Sequence, residues 1–267
     1  MSSATKTLNL LSYFSASQPE IGLSQLCRLA KRDKATTHRH LQTLEETGFV
    51  EQNPATRQYR LGPAVLRLAQ TREITVPRKS GAEAAVAELA HATGETAHVS
   101  VLSGASLYAL TSFESPRHST RVIIDIATFP LHATASGLCA LAFGPSDLLA
   151  TAHSAMKGFT RHTIRTTDAL DQAIAQTRDS GFGRGICSLE DEVSSLGAPI
   201  YDETGAFAGA VAVACVSTRF TPRLEQQIKH HLITASRQIT RNWGGTLPAT
   251  LEATWAETLS PALEPTP

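Results

Sequence analysis

The first sixty residues place their apolar side chains at helical spacing in three successive runs. Leu8, Leu11 and Ser15 share one face, with Leu10 and Phe14 beside it, and this predicts a helix over 6–17. Pro19 and Gly22 punctuate the loop that follows. Leu23, Leu26, Leu29 and Ala30 define a second helix over 23–30, and a polar turn, Lys31-Arg32-Asp33, leads to a third over 34–47. That third helix has only Leu41 and Leu44 as large apolar residues, so its buried stripe is narrow, and Gly48 stops it. Two short strands, 49–52 and 57–61, flank the turn residues Asn53-Pro54-Ala55-Thr56. Gly62-Pro63 then opens a helix to about Thr75, ended by Val76-Pro77.

Beyond Pro77 the period shortens. An Ala-rich helix over 80–93 ends at Gly94, and alternating runs at 96–102 and 107–113 read as a hairpin, with 121–126 as a third strand. A loop, 130–137, leads into a helix over 136–143, and further helices are expected at 146–156 and 167–180. Strands at 181–186, 193–201 and 206–217 follow, the last so rich in Ala and Val that it reads as a central one. Thr221-Pro222 caps a helix to about Trp243. Pieces of an antiparallel sheet with flanking helices predict an α+β domain. The segment 246–267, with prolines at 248, 261, 265 and 267 and little periodicity, is expected to be a disordered tail.

A chain of 267 residues can hold two domains, and 42% hydrophobic with 18% charged residues is the composition of a globular protein. The absence of a C-x-x-C pair among Cys27, Cys139, Cys187 and Cys215 predicts reduced thiols and a cytoplasmic setting. The start of the chain carries no apolar core of leader length, and no run of eighteen apolar residues predicts a membrane span.

Net charge is zero, so attraction to a polyanion must be local. Between Arg28 and Arg39 five cations (Arg28, Lys31, Arg32, Lys34, Arg39) face one acid, Asp33. A basic patch on a helix pair with a β wing is the footprint of a DNA reader. The alternative is a small helical domain that docks on protein, its cations merely solvated. On the DNA reading, Lys34, Ala35, Thr36 and Thr37 meet the groove at the third helix's start, and Arg39 bonds a phosphate. Ser24 and the wing residue Arg57 contact the backbone nearby. His40 faces a groove edge or phosphate, or is a solvated surface histidine.

In the second half, His132-Ala133-Thr134-Ala135-Ser136-Gly137 places small residues just before a helix. Free amides and the positive end of the helix dipole would hold a carboxylate there. The alternative is that Gly137 and the alanines only permit tight helix-on-sheet packing. Catalysis finds little support: Ser136, His132 and Asp125 invite comparison with a triad, but Ser136 lacks the G-x-S-x-G elbow. No catalytic residue, metal site or cofactor is assigned. His230 and His231 point to different helix faces, and His153, His162 and Cys187 stand alone in sequence.

The run Lys34 to Glu45, followed by Gly48-Phe49-Val50 and Tyr59-Arg60-Leu61-Gly62, resembles the DNA-binding domain of the IclR family of bacterial transcription regulators. Pro130 to Gly137 is similar to that family's effector-domain motif, and the likeness covers about residues 5–245. The resemblance implies a winged helix-turn-helix domain over 1–62, a linker helix over 63–78 that also joins subunits, and a GAF-like effector-binding domain over 79–245. It further implies a homodimer or homotetramer on a palindromic double-stranded DNA operator, since one short helix reads only a few base pairs. Thr134, Ala135, Ser136 and Gly137 would line the effector pocket, with Ser195, Ala212 and Ala214 on its strands. The chain departs from the family at His40, usually apolar, and at Gly185–Ser188, where an acidic run is common; here the acids come later, as Glu190-Asp191-Glu192. Alanines where serines are frequent point to an effector more apolar than a small keto-acid, an aromatic catabolite among organic acids. A ligand-free interaction module is the remaining alternative.

Overall fold

The structure, a computed structural model, describes residues 2–15 and 17–259. The chain divides into two compact units, one built from the chain up to Pro77 with Asp125–Ala127, the other from Arg78–Ile124 and the chain from Thr128 onward.

The first unit contains α1 (Ser3–Leu8), a 3-10 turn at Leu11–Tyr13, α2 (Leu23–Ala30), α3 (Lys34–Glu46), β1 (Val50–Gln52), β2 (Tyr59–Leu61) and α4 (Pro63–Thr75). Leu10, Ile21, Leu26, Leu41, Leu44, Val50 and Tyr59 form its core. The turn between α2 and α3 is made by Lys31 in the left-handed conformation (φ 51°) and by Asp33, whose carboxylate accepts from the Thr36 amide at 2.8 Å. β1 and β2 pair antiparallel, with Val50 opposite Leu61 and Gln52 opposite Tyr59. The single helix expected over 6–17 is instead broken at Asn9, whose amide bonds the Thr5 carbonyl. The break turns Leu10 into the core and leaves Leu8 exposed.

The second unit runs α5 (Arg78–Thr93), β3 (Thr96–Ser103), β4 (Ser106–Phe113), α6 (Ala135–Phe143), α7 (Asp147–Ser154), α8 (Thr167–Ser180), β5 (Gly183–Ile186), β6 (Val193–Tyr201), β7 (Phe207–Val216), α9 (Pro222–Asn242) and α10 (Ala249–Leu259). The sheet order is β4-β3-β7-β6-β5, and every neighbouring pair is antiparallel. Alternation gives its two faces different chemistry. Val99, Val211, Val213, Leu196 and Ile200 fill the face against α5 and α9. The opposite face, under α6, carries Thr96, His98, Gly183, Gly185, Ser195, Gly197, Ala212 and Ala214. α6 lies on a floor of small and polar side chains.

Two expectations fail. Residues 121–126 form no strand: Ile123 is exposed, and the outer edge of β4 is bridged at Tyr108 by Thr128 instead. Alternation supplies a face, but a strand also needs a partner. The expected tail is helical through Leu259, because Trp255 of α10 packs fully buried against Phe182; the last eight positions of that segment lie outside the described residues. Among the described residues, no helix is long and apolar enough to cross a membrane.

Candidate functional sites on helix α3 and beneath helix α6

On α3, Lys34, Ala35, His38 and Arg39 are exposed and Thr36 is half-buried. The Thr36 amide, with its hydroxyl, holds the neighbouring Asp33 carboxyl below the usual carboxylate range, so the acid at this helix start is an anion spent on capping. Ser24 on α2 is exposed, as is Arg57 at the wing tip, where the backbone is left-handed (φ 60°). The other wing arginine, Arg60, is paired with Glu51 at 2.6 Å and Glu20 at 3.6 Å, which leaves Arg57 as the wing's outward cation.

Thr37 and His40 do not belong with these. Thr37 is 0% exposed and its hydroxyl donates to the Asp33 carbonyl at 2.9 Å. His40 is 5% exposed, with Nδ1 2.7 Å from the Thr7 hydroxyl of α1. Burial, then the charges of Arg39, Arg32 and Lys6, push its pKa down. Both residues fall on the inward side of α3 beside Leu41 and Leu44, so they hold the helix in place and are withdrawn as DNA contacts.

In the second unit every residue from Leu131 to Ala142 is buried. Thr134 caps α6: its hydroxyl accepts from the Gly137 amide at 3.0 Å and donates to the Pro130 carbonyl at 2.9 Å. A β-carbon at Gly137 would collide with the Leu131 backbone, and one at Gly183 with the Ala135 carbonyl. Tight packing is therefore the role of Gly137, and the Thr134 side chain is committed to the cap. Ala135 and Ser136 differ: among the described residues no backbone carbonyl accepts from either amide.

Those amides lie over the sheet at a point bare of side chains. A β-carbon on Gly185 would stand 2.9 Å from Ser195 Oγ, 3.0 Å from the Ala135 nitrogen and 3.4 Å from Ser188 Oγ. Ser195, predicted from sequence, is half-buried there, and Ala214 and Ala212 sit opposite Ser195 and Gly197 on β7. Glu190, Asp191 and Glu192 lie in an exposed turn. Both hydroxyls are engaged, Ser188 donating to the Ala133 carbonyl at 3.0 Å and Ser195 to the Gly185 carbonyl at 3.4 Å; the Ala135 and Ser136 amides at the positive end of the helix, with no acid beside them, are suited to an anionic group. A groove of about 420 Å³ along α8, β5 and α9 is less so, because its cations Arg184 and Lys229 are already paired with Glu225.

Sequence reasoning passed over His98. It lies on β3 opposite Ala212, 4% exposed, its ring stacked on Phe129. Its Nε2 is 3.4 Å from Ser136 Oγ. A period-two polar position within an otherwise half-apolar strand was the available signal. Among the described residues, no cluster of three potential metal ligands occurs.

The family model described as IclR helix-turn-helix domain matches residues 3–54, and that described as Bacterial transcriptional regulator IclR C-terminal matches 77–241. The glycerol operon regulatory protein of Streptomyces coelicolor is 28% identical over 87% of this chain and 91% of its own. An IclR transcriptional regulator from Silicibacter sp. TM1040 superposes with a TM-score of 0.83 at 39% identity, covering 93% of this chain and 99% of that one. An IclR homologue from Microbacterium hydrocarbonoxydans, crystallised with 4-hydroxybenzoate, shares the fold at a TM-score of 0.74 and 19% identity over 91% and 99% of the two chains. With both units matched in order, the chain belongs to the IclR family: it is a DNA-binding transcriptional regulator with a C-terminal effector domain, and not an enzyme.

Proposed function

We propose that this regulator reads a palindromic operator as a homodimer, or as a tetramer of two dimers, and that an organic acid bound beneath α6 alters that binding. The first two turns of α3 enter the major groove. Lys34, Ala35 and Thr36 approach base edges, while Arg39, Ser24 and Arg57 position the unit on phosphates. Exposed apolar residues on α4, Leu66, Leu68 and Ile74 (82% exposed), support a subunit contact along that helix.

The observation that carries the effector reading is the pair of Ala135 and Ser136 amides at the start of α6, which no backbone carbonyl accepts among the described residues. A carboxylate over the helix start accepts from both amides. Ala212 and Ala214 widen the floor with apolar surface where hydroxyls would narrow it to a smaller, more polar ligand. The 4-hydroxybenzoate held by the Microbacterium homologue supports an aromatic acid as the class. For a ligand to regulate, it must favour one arrangement of the protein over another.

The test is retention of random duplex DNA at two salt concentrations, followed by sequencing, then by titration of the enriched duplex with aromatic and keto-acids. An inverted repeat with steep salt dependence, released or tightened by an aromatic acid, is expected. No enrichment would sink the operator reading. A response confined to glyoxylate or pyruvate would sink the aromatic class.

A further inference from the structure

His98 is out of place on the floor beneath α6. The imidazole is 4% exposed, and stacking on Phe129, with ring centroids 4.9 Å apart and planes 8° from parallel, fixes its plane. Nε2 reaches Ser136 Oγ at 3.4 Å, the outer limit of a hydrogen bond, and Nδ1 has no partner among the described residues. The neighbouring hydroxyls on β3 are already used: Thr96 donates to the Val122 carbonyl at 2.7 Å and Ser100 to the Ala210 carbonyl at 3.2 Å. A buried polar ring with one weak bond and one missing bond destabilises the fold, whereas a phenylalanine would stack on Phe129 without that cost.

Burial, the single cause acting on it, holds the His98 pKa down to about 4, so the ring is neutral near pH 7. A neutral imidazole presents one N–H and one lone pair. A hydroxyl can meet either one, donating to the lone pair or accepting from the N–H. A carboxylate can only accept, and it would bring an unpaired charge into a buried site.

We propose that His98 receives a neutral hydroxyl of the effector at Nδ1, so that the effector is a hydroxylated carboxylic acid. Its carboxylate lies on the Ala135 and Ser136 amides, and its hydroxyl supplies the bond that His98 Nδ1 lacks. This rests on the reading of α6 as the effector site, and it adds a specificity-determining residue and a second functional group on the ligand.

The experiment is calorimetric titration of the full chain with acids that differ by one hydroxyl: benzoate against the three monohydroxybenzoates, and propionate against lactate. Wild type is expected to favour at least one hydroxylated member by roughly tenfold or more. His98→Phe keeps the stack with a somewhat larger ring, and it should bring that preference to within about threefold while the affinity for the plain acid holds. A preference that survives His98→Phe, or a wild type that binds both members of each pair alike, overturns the hydroxyl assignment and leaves the carboxylate site standing. Binding of none of these acids overturns the α6 reading and the hydroxyl assignment together. Should His98→Phe not fold, nitrogen-15 spectra of wild-type His98 decide: Nδ1 must shift with the hydroxylated acid and stay fixed with the plain one, and an unmoved Nδ1 rejects the assignment.

Discussion

The indole Nε1 of Trp255 donates to the carbonyl of Gly181 at 3.3 Å, joining α10 to the end of α8. Gly181 sits in the left-handed conformation (φ 77°) as the C-cap of α8, and any β-carbon there would strike the indole. Trp255 is fully buried, so Trp255→Ala should leave a cavity and lower stability by about 3–5 kcal/mol. Chemical denaturation of the full chain measures it; an unchanged midpoint would mean that α10 is not part of the folded unit.

The two sides of α3 separate in a second experiment. Lys34→Ala and Arg39→Ala remove exposed cations and should each weaken operator binding and flatten its dependence on salt by about one unit of slope. His40→Ala removes an inward group bonded to Thr7 and should instead cost about 1–3 kcal/mol of stability, with the salt slope of the folded protein intact. A slope that changed with His40→Ala and not with Arg39→Ala would reverse the assignment of faces.

Glycines beneath α6 should divide in the same way. Gly183→Ala drives a methyl into the Ala135 carbonyl and should destabilise by about 1–3 kcal/mol. Gly185→Ala places its methyl among Ser195 Oγ, the Ala135 amide and Ser188 Oγ, and should cut carboxylate affinity about tenfold or more. Thermal unfolding and ligand titration, run on both variants, report the two effects separately. Undiminished acid binding in Gly185→Ala moves the site elsewhere.

Acid should expose His98. Its pKa falls from an ordinary 6.5 in the unfolded chain to about 4 in the folded protein, so between those values the unfolded state binds more protons. Its contribution is therefore intact above about pH 6.5, lost progressively down to about pH 4, and level below that, a loss of about 3 kcal/mol. His40 and His231, also shifted down by burial, add loss of the same sign. His98→Phe should flatten the urea-midpoint profile across this window, and an identical profile would show that His98 titrates normally.

Much of the architecture was legible along the chain because its signals are local. Gly62-Pro63 marks the start of α4, and Thr221-Pro222 that of α9, since capping groups act within one turn of themselves. The α2–α3 pair followed from Leu26, Leu41 and Leu44, the strand β3 from its period of two, and β7 from its Ala/Val run. The basic cluster from Arg28 to Arg39 and the small-residue run before α6 were equally plain, because composition alone defines them.

What lies opposite a residue cannot be read from its own neighbours in sequence. Thr37 and His40 look like groove-facing polar residues until Thr7 and the core close over them. Residues 121–126 alternate like a strand but find no edge to pair with, and the proline-bordered tail becomes a helix because Phe182 and Gly181 offer Trp255 a place to bury. His98 and Ser136 stand 38 positions apart, and only the pairing of β3 with β7 under α6 brings them together. Sequence by itself determined most of the elements, their order and the family, since caps, periods and charge act locally. Tertiary structure alone decided which polar groups are buried without partners, because burial is a property of the surfaces that meet.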